Sequence, residues 1–278
     1  MLDWLRRRRR RKLLSAPFPP EWEACIQRNL APYHQLDPAE RRRLGDLVRV
    51  FVDEKHWEGC GGLVLTDEIR VTIAAQACLL VLGLPDPFYR NVRSILVYPS
   101  TVVMPQRRVG AFEVPLAPIG GPLPILGEAQ LRGPVILVWD AVKRSARHPE
   151  RGHNVVYHEF AHKLDLLDGG ADGTPPLHGR DEYRRWARVC TREYRALREQ
   201  AEKGRPGLLD SYGATTEAEF FAVATELFFD RPVALREGHP ELYEVLQGFY
   251  RQDPAARVGR SGTDGDPGHS SRGFDGTE

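Results

Sequence analysis

Two histidines four residues apart, in the run His158-Glu159-Phe160-Ala161-His162, make up the stretch of this chain best suited to chemistry. On a helix, positions i and i+4 share a face, so both imidazoles can reach one zinc ion. Glu159 then points beside the metal rather than at it, placed to take a proton from water. Val156, Phe160, Leu164 and Leu167 form an apolar stripe on the opposite side, which predicts a core-facing helix with the histidines on its other face. In 278 residues with nine histidines, chance gives this pattern on the order of 0.02 times. The alternative is a helix with two surface histidines and an ordinary glutamate, and the apolar stripe argues against it.

A catalytic zinc takes three protein ligands and keeps one position open. A longer histidine motif would place a third histidine six residues after His162, but that position is Asp168, and His178 lies too far along. A carboxylate on another helix is therefore expected, with Glu217, Glu219 and Glu226 as candidates in apolar helical context. Glu219 and Glu226 share a face with Ala222 and Val223, small residues that allow close helix approach. Thr216-x-x-Glu219 is also a capping-box pattern, in which the glutamate merely satisfies the helix start. Spacing alone leaves both readings of Glu219 open. Asp165 falls on the face of the histidines, where it either orients a ligand histidine from behind or joins a surface ion pair.

Around these residues the pattern is helical, then mixed, then helical. Helices are predicted from Glu21, from Asp37-Pro38, an N-cap followed by proline, and from Thr66-Asp67-Glu68, with acids in its first turn. Ser94–Tyr98, Thr101–Met104 and Pro134–Trp139 read as strands, and the Gly- and Pro-rich stretch between the last two as loops with short strands. Helices are expected again from Asn154, over Asp181–Lys203, Thr216–Phe229 and Glu241–Tyr250. The architecture this predicts is α+β: flanking helices, a small mixed sheet, and the active-site helix. The strand Pro134–Trp139 either pairs with an extended peptide or lies inside the sheet.

The rest of the chain bounds the setting. Residues 1–18 read as a basic, flexible tail holding six consecutive arginines, Arg6 to Arg11; weak anchoring to acidic lipid, nucleic acid or a partner is the sharper reading. Residues 19–252 read as the folded domain, helical over about 19–90 and catalytic over about 91–252, and 253–278 as a disordered tail. Only Leu13-Leu14 follows the arginines before Ser15, too short for a secretory signal, and no segment is long enough for a membrane span. Net charge is +1, which gives the whole chain no pull toward nucleic acid. Cys25, Cys60, Cys78 and Cys190 form no CxxC pair, which predicts reduced thiols and a cytoplasmic location.

The segments His158–Asp165 and Ser211-Tyr212-Gly213-Ala214-Thr215-Thr216-Glu217-Ala218-Glu219-Phe220-Phe221-Ala222 together resemble the Mlc titration factor A family of bacterial zinc peptidases, peptidase family M90, over about residues 15 to 252. The second segment is also similar to the matching stretch of the anthrax lethal factor peptidase domain. The resemblance implies a zincin-like fold with one Zn2+ per chain, held by His158, His162 and Glu219. It implies Glu159 as the base and Tyr212 as a phenol facing the metal. It further implies an aminopeptidase-like activity on peptides or proteins, and binding of an Mlc-like transcriptional repressor, with proteolysis secondary in one version of that role.

Overall fold

The computed structural model describes residues 2–85, 89–100 and 133–263. Eleven α-helices and three short strands occupy the described residues. They are α1 (Leu2–Leu14), α2 (Pro20–Asn29), α3 (Pro38–Glu54), β1 (His56–Gly59), α4 (Asp67–Leu80), β2 (Ser94–Tyr98), β3 (Val135–Val138), α5 (Trp139–Arg147), α6 (Val155–Asp165), α7 (Arg180–Glu202), α8 (Glu217–Asp230), α9 (Pro232–Gly238), α10 (Pro240–Tyr250) and α11 (Pro254–Thr263). The fold is α+β, as the alternation of helical and strand patterns predicts. The described strands run parallel in the order β1-β2-β3, where a mixed sheet was expected. In register, Trp57 faces Ile95 and Leu96 faces Ile136.

Local chemistry explains where the helices begin. Asp37 caps α3 by accepting the Ala39 and Glu40 amides, and Glu40 reaches back to the Asp37 amide in a complete capping box. Thr66 caps α4 through the Ile69 amide. Helix α4 is buried over eleven of its fourteen residues, so α2, α3 and α6 all pack around it.

The helix that carries the histidines is held from behind. Val156, Phe160 and Leu164 are at most 1% exposed. The Phe160 ring lies 5.7 Å from Phe51 of α3 and 4.9 Å from Tyr89. Such aromatic contacts fix rotation about the helix axis. Leu167, expected in the same stripe, is instead exposed, because α6 ends at Asp165 and the chain tightens into a 3-10 turn.

Both termini depart from the expected tails. The arginine run forms α1, docked on α3: Arg9 pairs with Asp53, and Arg10 grips Glu54 through two nitrogens at 2.6 and 2.7 Å. Opposite charges on a facing helix supply the order that composition alone did not promise. Beyond residue 253, α11 continues the fold to Thr263, with Ala255 and Arg257 buried. The expected strand Thr101–Met104, the Gly- and Pro-rich stretch as far as residue 132, and residues 264–278 lie outside the described residues. All four cysteines are free thiols, with Cys25 and Cys78 buried.

Candidate active site

Asn154 starts the site. Its side-chain oxygen accepts the Val156 and Tyr157 amides at 3.0 and 3.1 Å, which sets the first turn of α6 and hence the direction of His158. Helix α8 lies alongside, started by Thr216, whose hydroxyl accepts the Glu219 amide. Ala161 of α6 and Ala218 and Ala222 of α8 are buried, and their small side chains allow the two helices close approach.

Three donor atoms converge between them. His158 Nε2 and His162 Nε2 are 3.2 Å apart, and Glu219 Oε2 lies 3.0 Å from the first and 3.4 Å from the second. Thr216 therefore caps α8 with its own hydroxyl, while the Glu219 side chain turns to the histidines instead of reaching back to the helix start, so only the threonine half of the capping box forms. Glu217 is exposed at the helix start and takes no part. Among the described residues, His158, His162 and Glu219 form the one group able to hold a metal ion. Three mutually facing lone-pair atoms in a half-buried setting are poorly matched by shared protons and well matched by a cation.

Glu226, one of the carboxylate candidates, lies one layer further in. Its Oε1 accepts from His158 Nδ1 at 2.7 Å and its Oε2 from the Asn154 amide at 2.5 Å. This 5% exposed carboxylate thus ties the ligand histidine to the cap of the helix that bears it. With the proton on Nδ1, the Nε2 lone pair is left for a metal. The cue in the sequence was the seven-residue separation of Glu219 and Glu226 on one helix face; the choice of roles between them needed the histidine geometry.

Electrostatics follow the same pattern. Burial disfavours the His158 imidazolium, yet hydrogen bonds to Glu219 and Glu226 outweigh it and lift its pKa to about 10. Burial opposes ionisation of Glu219 too, but the two histidines hold its pKa near 2. The pocket is thus built around positive charge. Tyr212 sits in a 3-10 turn (Ser211–Ala214) fixed by Asp210, with its ring 6.0 Å from that of His158. Burial, then the negative charges of Glu219 and Glu159, raise its hydroxyl to about 12, so it remains a proton-bearing donor. Glu159 is half-buried. A cleft of about 440 Å³, whose lining includes His158, Tyr212, Glu226, Arg144 and Arg151, opens beside these groups.

Asp165 takes neither expected role. It is fully buried, and its Oδ2 accepts the Gly173 amide at 2.9 Å. Gly173 has φ +74°, and a Cβ there would lie 2.3 Å from the Glu217 carbonyl oxygen, so only glycine lets this loop rest against the start of α8. Asp165 thereby steadies the loop beside the helix carrying Glu219.

The chain is similar to known proteins over most of its length. A 39% identical relative, an uncharacterised protein of Synechocystis sp., aligns over 91% of this chain and 90% of its own length. Proteins named Mlc titration factor A from Edwardsiella ictaluri and Serratia proteamaculans are 34% and 33% identical, over 89% and 81% of this chain and 92% and 85% of theirs. The family model of the glucose-regulated metallo-peptidases M90 matches residues 4–251, a span that takes in the arginine helix as well as the site. The chain belongs to the M90 metallo-peptidase family.

Proposed function

We propose that this chain is a zinc-dependent peptidase in which His158, His162 and Glu219 hold one Zn2+, Glu159 is the general base and Tyr212 the hydrogen-bond donor to the transition state. The observation that carries the reading is the convergence of the two Nε2 atoms and Glu219 Oε2 at 3.0 to 3.4 Å. Ligands of a tetrahedral zinc, bound at about 2.0–2.1 Å, stand about 3.3–3.4 Å apart. Two imidazoles and a carboxylate also suit zinc rather than calcium or magnesium. When bound, the metal supplies a Lewis acid that polarises a carbonyl and acidifies water.

The chain's own groups do the rest. Glu159 takes the proton of the attacking water and passes it to the departing amine. Tyr212, protonated at neutral pH, donates to the oxygen that gains charge as the scissile carbonyl becomes tetrahedral. Glu226 holds the His158 ring in orientation through Nδ1. Strand β3 is at the edge of the described sheet and packs near α6, which supports strand addition by an extended peptide substrate. The cleavage mode we assign is aminopeptidase-like, in a soluble, cytoplasmic setting. Among the described residues no helix is long and apolar enough to cross a membrane.

A second reading, binding of an Mlc-type transcriptional repressor, is supported by the name that the Edwardsiella and Serratia relatives bear. A peptide-library digest comparing wild type with Glu159→Gln tests the first reading. Cleavage by wild type alone is expected, and equal cleavage by both removes Glu159 from its role. Repressor binding that survives Glu159→Gln would mark the second function as separate from catalysis.

A further inference from the structure

Helix α1 has two unlike faces. Arg9 and Arg10 turn inward to Asp53 and Glu54, and the charge of Arg6 also reaches Glu54. The end of the helix is clasped by the buried Arg49 of α3, which donates to the carbonyls of Leu13 and Ala16. The helix is therefore fixed against the body rather than free.

Its outward face carries Trp4, Arg8 and Arg11 at i, i+4 and i+7, flanked by Leu5, Arg7 and Lys12. Trp4 is 56% and Leu5 51% exposed, so two large apolar side chains stand next to each other at the start of the helix. The Arg8 guanidinium lies 5.6 Å from the centre of the Trp4 ring, so the aromatic and the cation stand side by side. Among the described residues no carboxylate pairs with Arg7, Arg8, Arg11 or Lys12, although α3 provides partners for the inward arginines.

We propose that this outward face docks on a bilayer bearing anionic lipid headgroups, with α1 lying in the plane of the interface. Arginines and a lysine match phosphate-rich headgroups, while a tryptophan and a leucine at the same end suit the boundary between headgroups and acyl chains. A nucleic acid would match the cations but has no comparable use for Leu5. With a net charge of only +1 for the whole chain, the attraction is local to this helix, which would turn one defined side of the protein to the membrane.

Flotation of the full-length protein with vesicles tests this. Binding is expected to phosphatidylcholine vesicles containing phosphatidylglycerol, to weaken as salt is raised, and to be absent on phosphatidylcholine alone. Each outward cation removed should weaken binding roughly fivefold. The combined variant Arg7→Gln, Arg8→Gln, Arg11→Gln, Lys12→Gln should thus lose binding roughly several hundredfold while keeping the inward pairs. Should that variant unfold early, Trp4→Ala alone provides the test, with weaker vesicle binding and unchanged thermal unfolding expected. Equal binding to neutral vesicles, undiminished binding by a folded variant, or duplex DNA bound as tightly as the anionic vesicles would each overturn the proposal.

Discussion

Replacing Glu226 by glutamine changes one atom of a side chain that stands behind a ligand histidine, yet it should alter the metal centre. The carboxylate now receives two hydrogen bonds, from His158 Nδ1 at 2.7 Å and from the Asn154 amide at 2.5 Å. Glutamine has one carbonyl oxygen, so one of these donors would face an amide NH2 instead of an acceptor. A buried donor left without a partner costs about 1–3 kcal/mol. Loss of a carboxylate behind a ligand histidine typically weakens metal affinity about 10–100-fold. Zinc competition against a chromophoric chelator measures the second effect, and denaturant unfolding of chelator-treated wild type and variant measures the first. The expected result is a Kd for zinc raised within that range, together with lower stability of both metal-loaded and chelated protein. A zinc Kd equal to that of wild type would refute the assignment of Glu226 as the group that orients His158.

The other expectations are separable from this one. Glu159→Gln should keep its metal by elemental analysis and lose about 10²–10⁴-fold in turnover, whereas a loss of metal would mark it as structural. Tyr212→Phe should lower kcat by about 10²–10³-fold with metal content unchanged, and wild-type turnover would remove the phenol from the mechanism. Gly173→Ala should lower the unfolding free energy by more than about 1 kcal/mol, since φ +74° and the Glu217 carbonyl both oppose a Cβ; unchanged thermal unfolding would contradict the close approach. Burial raises the Asp165 pKa from 3.8 to about 6, so its ionisation costs stability that is absent below the unfolded value and appears in full above about 6. Asp165→Asn should therefore gain stability relative to wild type as pH climbs through that window; a constant difference across it would mean that burial is not the cause.

Much of the site was legible in the sequence because it rests on short-range geometry. The i, i+4 histidines on α6 and the i, i+7 glutamates on α8 are set by helical spacing within each segment. Division of labour between Glu219 and Glu226 depends on how the helices Val155–Asp165 and Glu217–Asp230, far apart in the chain, pack together, which no periodicity encodes. Strand β1, His-Trp-Glu-Gly, leaves no strand signal in the sequence because it is largely exposed and shows no apolar alternation. Helix α5 has no start signal of its own because it follows β3 directly at Trp139, with no turn residue between. The arginine run reads as a tail because like charges repel in isolation, and only the packing of α1 against α3 brings Asp53 and Glu54 opposite Arg9 and Arg10. Asp165 lay on the expected face, but as the last residue of α6 it turns to the loop at Gly173.

The claim at the centre is that His158, His162 and Glu219 hold a single zinc ion. Anomalous diffraction at the zinc edge from crystals of the purified protein tests it without reference to any substrate. One peak is expected, within about 2.0–2.2 Å of His158 Nε2, His162 Nε2 and a Glu219 carboxylate oxygen, and absent from crystals of Glu219→Ala. No peak in zinc-supplemented crystals, or a peak bound by other residues, would contradict the account.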